Sequence, residues 1–223
     1  MIEERIMTIT IKCLPVGSFQ SNCYILSVTG GADALVIDCG GEPEQVIEYL
    51  KAENLVPSIL VCTHGHVDHI AGNTELKAAF PDMRIMIHRD DTEMLRRPIK
   101  NLSMFMGRMI KSPPADRELH DGDVIEFAGL KIKVLHTPGH TPGGICLFIP
   151  EGPETPKPIL FSGDTLFQES VGRTDFPGAS EKTLLTSIEE KLRPLPPNTI
   201  VHTGHGPSTT LEREFRSNPF IKR

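Results

Sequence analysis

Residues 63–69, with the sequence THGHVDH, constrain the fold and chemistry of this chain more than any other stretch. They carry three imidazoles and one carboxylate within seven positions. Such a cluster has little use in an apolar core, whereas imidazole and carboxylate ligands together suit zinc, iron or manganese. The stretch directly follows the apolar residues 58–62, which predict a buried strand. We therefore expect the ligands at the C-terminal end of a strand, where they have a rigid support.

Three further apolar segments of the chain end in the same way. Residues 133–135, 159–161 and 199–201 each run into a glycine-containing turn that bears a histidine or an aspartate. Glycine lets the backbone turn sharply and lets a ligand approach closely. Chemical groups on loops at strand ends are typical of active sites on a rigid scaffold. The predicted cluster consists of His64, His66, Asp68, His69, His140, Asp164 and His205.

These seven ligands are more than one ion needs, because a catalytic zinc takes about three protein ligands plus water. They suffice for two ions that lie about 3.5–4 Å apart and share a carboxylate, a common arrangement for hydrolysis. Asp38, at the end of another predicted strand, either orients a ligand imidazole or caps a turn. The other four histidines are interpreted as hydrogen-bonded structural residues: His88, His120, His136 and His202. For His136 and His202, a role in orienting the metal ligands stays open.

The rest of the sequence alternates many predicted strands with fewer helices, and no shift in composition marks a domain boundary. A mixed sheet with helices outside follows, as a single domain over residues 1–223. Helices are predicted from Pro43 and over residues 70–80, 180–192 and 211–215, and the last strand over residues 199–201. The irregular residues 97–117, which include Met104, Phe105, Met106 and Met109, either cover a substrate or fill the core.

Composition narrows the class of partner and the compartment. The net charge of −6 argues against a polyanionic partner such as nucleic acid, which would favour a basic face. No apolar run reaches transmembrane length, so no membrane partner is expected, and residues 1–7 contain no signal-peptide core, although either Met1 or Met7 could be the start. The five cysteines are odd in number and show no C-x-x-C spacing, which indicates free buried thiols in a reducing cytoplasm.

With these motifs in place, the chain resembles the metallo-β-lactamase superfamily. The family signature H-x-H-x-D-H is matched by residues 64–69, and the downstream histidine, aspartate and histidine follow in the same order. The resemblance implies an α/β (α+β) fold, a four-layered αββα sandwich with two metal ions at one edge. By the same resemblance, His64, His66 and His140 hold the first ion, Asp68, His69 and His205 hold the second, and Asp164 bridges them.

Within this family the sequence is most similar to the small glyoxalase II-like (hydroxyacylglutathione hydrolase-like) members. Residues 162–167, 172–178, 203–207 and 218–220 carry that likeness. It implies a binuclear metallohydrolase that cleaves a small thioester of the S-lactoylglutathione type with a metal-bound hydroxide. Asp68 and Asp164 are then the catalytic carboxylates, and Arg173 binds the substrate. Zinc is the expected metal, with iron or manganese as alternatives.

Two departures from the glyoxalase II pattern bear on the thiol carrier. A tyrosine expected near Asp175 is missing, and the sequence lacks the helical C-terminal domain of full-length glyoxalase II. A glutathione conjugate is therefore only one expected substrate. Antibiotic hydrolysis is not expected, because Asp164 stands where zinc β-lactamases commonly have cysteine.

Two other functions stay open at this stage. The persulfide dioxygenases, which are related to this group, use one iron held by residues that match His64, His140 and Asp164, and would act on glutathione persulfide. A non-catalytic metal-binding protein would need a closed coordination shell, and ligands in open glycine turns argue against one.

Overall fold

The computed structural model describes residues 8–221. Residues 1–7, which bear on the expected lack of a signal peptide and on the choice between Met1 and Met7, lie outside the described residues.

A first six-stranded sheet comes from the N-terminal half of the chain. Its strands lie side by side in sequence order: β1 (Ile9–Val16), β2 (Ser21–Val28), β3 (Asp33–Ile37), β4 (Val56–Cys62), β5 (Arg84–His88) and β6 (Arg117–Leu119). The first three strands pair antiparallel, and the strands from β3 to β6 run parallel. The C-terminal ends of these four parallel strands therefore meet along one edge of the sheet.

A second six-stranded sheet comes from the C-terminal half. Its strands are β7 (Val124–Phe127), β8 (Leu130–His136), β9 (Ile145–Ile149), β10 (Ile159–Gly163), β13 (Ile200–Thr203) and β14 (Thr209–Thr210), in the spatial order 14-13-10-9-8-7. Strands β7 and β8 form a hairpin, with Ala128 and Gly129 both at positive φ, as a type I′ turn requires. Two short strands, β11 (Leu166–Phe167) and β12 (Ser170–Val171), form a separate ribbon.

The helices are short, and all but the last of those described lie between strands along the chain. They are α1 (Pro43–Ala52), α2 (Val67–Ile70), α3 (Asn73–Ala79), α4 (Glu181–Ser187) and α5 (Leu211–Ser217), with 3-10 helices at Arg89–Leu95 and Ser103–Met106 and a π-helical turn at Ile188–Leu192. The prediction of one helix over residues 70–80 is wrong. The chain breaks at Gly72, which lies so close to the carbonyl of Gly40 that a Cβ would not fit. The prediction that β13 is the last strand is also wrong, since β14 follows it with only two residues.

Three hydrophobic clusters show how the layers pack. Along β2, Tyr24 and Leu26 face the space between the two sheets, whereas Cys23 and Ile25 face the outer side, as the two-residue period of a strand requires. Helices α1 and α3 cover the outer face of the first sheet, and α4 covers the outer face of the second. The expected four-layered αββα sandwich is confirmed.

The cysteine prediction is confirmed in part. All five cysteines are free, and four of them are buried. Cys13 is exposed, because it lies on the edge strand β1. None of the helices described within residues 8–221 is long and apolar enough to cross a membrane.

Candidate metal centre

The structure brings all seven predicted ligands together at one edge of the sandwich. The stretch that carries His64, His66, Asp68 and His69 follows β4 of the first sheet, and its last two ligands lie on α2. The other three follow strands of the second sheet: His140 after β8, Asp164 after β10 and His205 after β13. The site is therefore formed by both sheets.

Two groups of ligand atoms share no residue. His64, His66 and His140 lie within 4.8 Å of one another, and so do Asp68, His69 and His205. In the first group His66 Nδ1 is 2.9 Å from His140 Nε2, and in the second His205 Nε2 is 3.2 Å from Asp68 Oδ2. The family resemblance implies these two sets as the ligands of separate ions. A third group, of His64, His69 and Asp164, connects them.

Asp164 lies between the two groups. Its Oδ2 atom is 3.4 Å from His140 Nε2 and 3.6 Å from His205 Nε2, and its Oδ1 atom is 3.4 Å from His69 Nε2. One carboxylate thus contacts members of both groups, which is the position required of a shared ligand. Gly204 allows this, because a Cβ at that residue would overlap Asp164 Oδ1.

Two buried polar atoms of this cluster have no hydrogen-bond partner in the described part of the chain, namely His64 Nε2 and Asp164 Oδ1. Buried polar atoms are normally satisfied, so each such exception needs a physical reason. Both atoms carry lone pairs and both lie where the other ligand atoms converge, as an ion requires. The residues present therefore fit a binuclear metal centre.

The outer nitrogens of the imidazoles are held by neighbouring groups. His140 Nδ1 donates to the carbonyl of Arg173 at 2.7 Å, and His205 Nδ1 donates to the carbonyl of Phe19 at 3.1 Å. A donating Nδ1 fixes the tautomer and leaves the lone pair on Nε2, directed at the ligand cluster.

Asp38 performs the same task for His69. Its Oδ2 atom is 2.9 Å from His69 Nδ1, and its two oxygens also accept hydrogen bonds from the backbone and hydroxyl of Thr63, both at 2.7 Å. Asp38 is buried and adopts a left-handed backbone conformation with φ of 56°. Of the two interpretations of Asp38, the orienting role is confirmed, and the carboxylate also fixes the residue that precedes His64.

The electrostatics differ between the two halves of the site. Burial lowers the pKa of His64 well below its usual value, and burial followed by the neighbouring His140 lowers the pKa of His66 to about 3. Both imidazoles are therefore neutral, with lone pairs available. Burial would also lower the pKa of His69, but the carboxylates of Asp164, Asp68 and Asp38 raise it well above the ordinary value. This half of the site attracts positive charge.

Sequence reasoning missed Asp91, which is buried just after β5 in the first 3-10 helix. Its carboxylate accepts hydrogen bonds from the backbone of Gly65 at 3.0 Å, from the hydroxyl of Thr141 at 2.7 Å and from the backbone of Gly143 at 2.7 Å. It thereby joins the loop of His64 and His66 to the loop of His140. The sequence did carry a signal for Asp91, because this residue, like the ligands, follows the end of a strand.

The four remaining histidines lie outside the ligand cluster. His136 Nε2 donates to the carbonyl of Pro142 at 2.9 Å, and His202 bonds to Ser208 and packs on Phe161. His88 and His136 also form a ligand-like group with Asp90. Their rings, however, stack at 3.9 Å and 13°, so no single ion can lie in both ring planes.

A cleft of about 630 Å³ opens above the ligands. Arg173 lines it but is engaged by Asp175, with Nε–Oδ1 and Nη2–Oδ2 distances of 3.0 and 2.8 Å, and lies 4.4 Å above the ring of Phe176. Within the irregular residues 97–117, Leu102, Phe105 and Met106 also line the cleft. The interpretation of this segment as core filling is wrong, because Met104, Phe105, Met106 and Met109 are all exposed.

Comparison with known proteins identifies the family. Residues 16–205 match the model of the metallo-beta-lactamase superfamily. The hydroxyacylglutathione hydrolase GloC of Haemophilus influenzae is 36% identical over 217 residues, which cover 95% of this chain and 97% of the relative.

Two solved structures are similar to this chain in both fold and sequence. The B3 metallo-beta-lactamase BLEG-1 superimposes with a TM-score of 0.89 at 37% identity, covering 96% of this chain and all of that one. TTHA1623, solved in a di-iron-bound form, gives a TM-score of 0.81 at 37% identity over 94% of this chain and 99% of that one. The motifs, the double-sheet sandwich and these similarities show that the chain belongs to the metallo-β-lactamase superfamily, whose members are mostly metal-dependent hydrolases.

Proposed function

We propose that this protein is a binuclear metallohydrolase that cleaves a thioester. The observation that carries the proposal is the position of Asp164 between two groups of three ligands, beneath an open cleft. A closed structural site would leave no room for a substrate. In this proposal His64, His66 and His140 hold one ion, Asp68, His69 and His205 hold the other, and Asp164 contacts both.

Bound ions of this kind lower the pKa of water to about 7 and polarise a carbonyl group. The protein supplies the arrangement. Asp38 and the carbonyls of Arg173 and Phe19 hold three imidazoles in one tautomer. Ser21 donates to the backbone carbonyl of Asp68 at 2.6 Å and fixes the start of α2. Asp164, which lies between the two groups of ligands, is the carboxylate proposed to accept the proton of the attacking water.

The composition of the cleft favours a thioester over an amide. Apart from the ligands, Arg173 is the only polar side chain among the described residues that line the cleft, and a guanidinium does not act as a proton donor at neutral pH. A thiol has a pKa of about 8.5, so a thiolate leaves without protonation, whereas an amine does not. A thioester is therefore the substrate that needs no proton donor from the residues of the cleft.

The proposed substrate is of the S-lactoylglutathione type, and the name of the Haemophilus influenzae relative supports this. Arg173 is the proposed substrate contact. Two of its five N–H donors are used by Asp175, and the others suit a carbonyl oxygen of the substrate. Zinc is the proposed metal, and the cytoplasm, which keeps free cysteines reduced, is the proposed compartment.

The test is to measure thiol release from S-lactoylglutathione by protein reconstituted with zinc, iron or manganese, together with the metal content. We expect about two ions per chain and turnover that disappears with a chelator and returns with the metal. A protein that carries two ions per chain and releases no thiol from any thioester would contradict the proposal.

A second candidate is the persulfide dioxygenase reaction with one iron held by His64, His140 and Asp164. The geometry that favours it is the convergence of these three residues: His64 groups with His140 and also with Asp164, and Asp164 Oδ2 lies 3.4 Å from His140 Nε2. Oxygen uptake with glutathione persulfide by the iron-loaded protein, at one ion per chain, would support this candidate.

Because BLEG-1 is a metallo-beta-lactamase, hydrolysis of a β-lactam should be measured beside the thioester and the persulfide. We expect slower cleavage of that ring, because its nitrogen leaves less readily than a thiolate.

A further inference from the structure

We propose that the cleft binds an apolar acyl chain, so that the substrate is a thioester of a hydrocarbon acid carried on a polar thiol. This inference rests on the proposed thioester hydrolysis and narrows its substrate from S-lactoylglutathione, whose acyl group carries a hydroxyl, to thioesters whose acyl group is hydrocarbon. It follows from the lining of the cleft, from the pairing of its one cation and from a second, polar pocket beside it.

The walls of the cleft are hydrocarbon. Beyond the ligands and Arg173, every described side chain that lines it is apolar, including four phenylalanines: Phe19, Phe105, Phe167 and Phe176. They come from four separate segments, namely the β1–β2 turn, the second 3-10 helix, β11 and the loop before α4. Four separate segments that each present an aromatic ring form a surface suited to an apolar group.

This apolar surface begins directly at the ligands. The ring of Phe176 lies 5.4 Å from that of His66, and the ring of Phe167 lies 6.1 Å from that of His205. A carbonyl held beside the ligands would therefore have hydrocarbon next to its first substituent atoms. A hydroxyl or carboxylate in contact with these rings would be desolvated without a hydrogen bond from them, which is unfavourable.

The single cation of the cleft does not offer a free charge. Arg173 and Asp175 form a two-point ion pair, so together they present no net charge to a ligand. An anionic acyl group would thus find no counter-charge among the described residues that line the cleft.

The rim of the cleft is exposed to water in spite of being apolar. Phe105 is 67% exposed and Phe19 is 53% exposed. Isolated exposed apolar residues are common, but here they meet around one opening. A bound acyl chain would cover them and gain the hydrophobic contribution of that contact.

A neighbouring pocket of about 280 Å³ has a different character. It shares Phe19, Val67, Asp68 and Met106 with the cleft, and it adds Arg108, Glu42 and Ser18. A biological thioester has one hydrocarbon end and one polar, charged carrier. The two adjoining pockets match these two ends, the acyl chain in the apolar cleft and the carrier in the pocket of Arg108.

The first experiment measures kcat/KM of the zinc-loaded protein for glutathione thioesters of propanoic, pentanoic and heptanoic acid. The carrier and the reactivity of the carbonyl stay constant in this series. Each added methylene should raise kcat/KM about three- to fourfold until the cleft is filled. A flat or falling series would overturn the inference while leaving thioester hydrolysis intact.

Two matched variants locate the effect. Phe105→Ala should lower kcat/KM for the heptanoyl thioester about five- to tenfold and for the propanoyl thioester less. Phe220→Ala removes a ring of similar exposure that does not line the cleft and should leave the whole series unchanged. Equal losses for all chain lengths in Phe105→Ala would contradict the assignment.

A binding measurement separates this inference from the proposed reaction. S-Alkyl glutathiones are thioethers that cannot be hydrolysed, and calorimetry gives their Kd with the same protein. A Kd that falls about three- to fourfold per methylene supports the apolar cleft even if no thioester is cleaved. A Kd independent of chain length overturns the inference whatever the enzyme hydrolyses. Arg108→Ala should weaken every member of the series by the same factor, since it acts on the carrier alone.

Discussion

At the floor of the cleft four of the seven ligands are buried, with His64 1% and His69 0% exposed, whereas at the rim Phe19 and Phe105 are 53% and 67% exposed. Hydrogen-bond partners from other segments hold Nδ1 of His69, His140 and His205, whereas the rim side chains are apolar. Hydrogen bonds therefore fix the positions of the ligands at the floor, whereas the rim is defined only by the apolar character of its side chains. Changes at the floor should remove the reaction, and changes at the rim should alter only which substrate is used.

The largest effect is expected where a ligand is removed. His66→Ala or Asp164→Ala should reduce turnover on the order of a thousandfold, because the charge stabilisation by the ions is worth several kcal/mol. His120→Ala, which removes a histidine outside the ligand cluster, is the control and should retain the wild-type rate. Turnover in either ligand variant close to that of His120→Ala would refute the proposed centre.

The next effect tests the support beneath the floor. Asp38→Asn keeps the size of the side chain and tolerates the left-handed backbone, but loses the carboxylate that faces His69. Metal affinity or activity should fall about 10- to 100-fold, the usual cost of such a partner. Competition with a chelator measures the affinity. Asp33→Asn, on the exposed end of β3, serves as the matched control, and an equal affinity in both variants would count against the orienting role.

Asp91 tests whether the two ligand loops depend on one buried carboxylate. Asp91→Ala leaves the backbone N–H groups of Gly65 and Gly143 without their acceptor. The free energy of unfolding should fall by about 2–3 kcal/mol, because unsatisfied buried donors are costly. Urea unfolding measures this, with the exposed Asp82→Ala as the comparison. A loss of less than about 0.5 kcal/mol, the range of ordinary surface changes, would show that the loops hold without Asp91.

The smallest effect is expected at the rim. Phe105→Ala should change the free energy of unfolding by no more than about 0.5 kcal/mol, as for other surface substitutions. Phe161→Ala is the matched change in the core between the sheets, where the ring is 1% exposed, and should cost about 3–5 kcal/mol. Similar losses in the two variants would mean that the rim supports the fold as the core does, and its role would then not be confined to the substrate.

The floor could be predicted from sequence because its signal is local. Each ligand lies in the turn or short helix that follows an apolar strand, and the chemistry of histidine and aspartate restricts what such a cluster can bind. Asp38 left two interpretations open, since a strand-end aspartate is equally common as a turn residue. The distance to His69 Nδ1 decided between them.

The rim could not be predicted because its members have no shared local pattern. Phe19 lies in a turn, and Phe105 follows the left-handed Leu102 in a 3-10 helix. Only the packing of four distant segments brings such rings to one opening. The break at Gly72 and the two-residue strand β14 were missed for a related reason, since close backbone approach and very short pairings leave little trace in hydrophobic periodicity.

The ligands that follow β4 belong to the first sheet, and those that follow β8, β10 and β13 belong to the second. An ion bound by Asp68, His69 and His205 would consequently tie an early part of the chain to a late one, much as a cross-link does. Because an ion that binds only the folded chain stabilises it by mass action, removing metal should lower the melting temperature as well as the activity. The metal centre would then also stabilise the packing of the two sheets of the sandwich against each other.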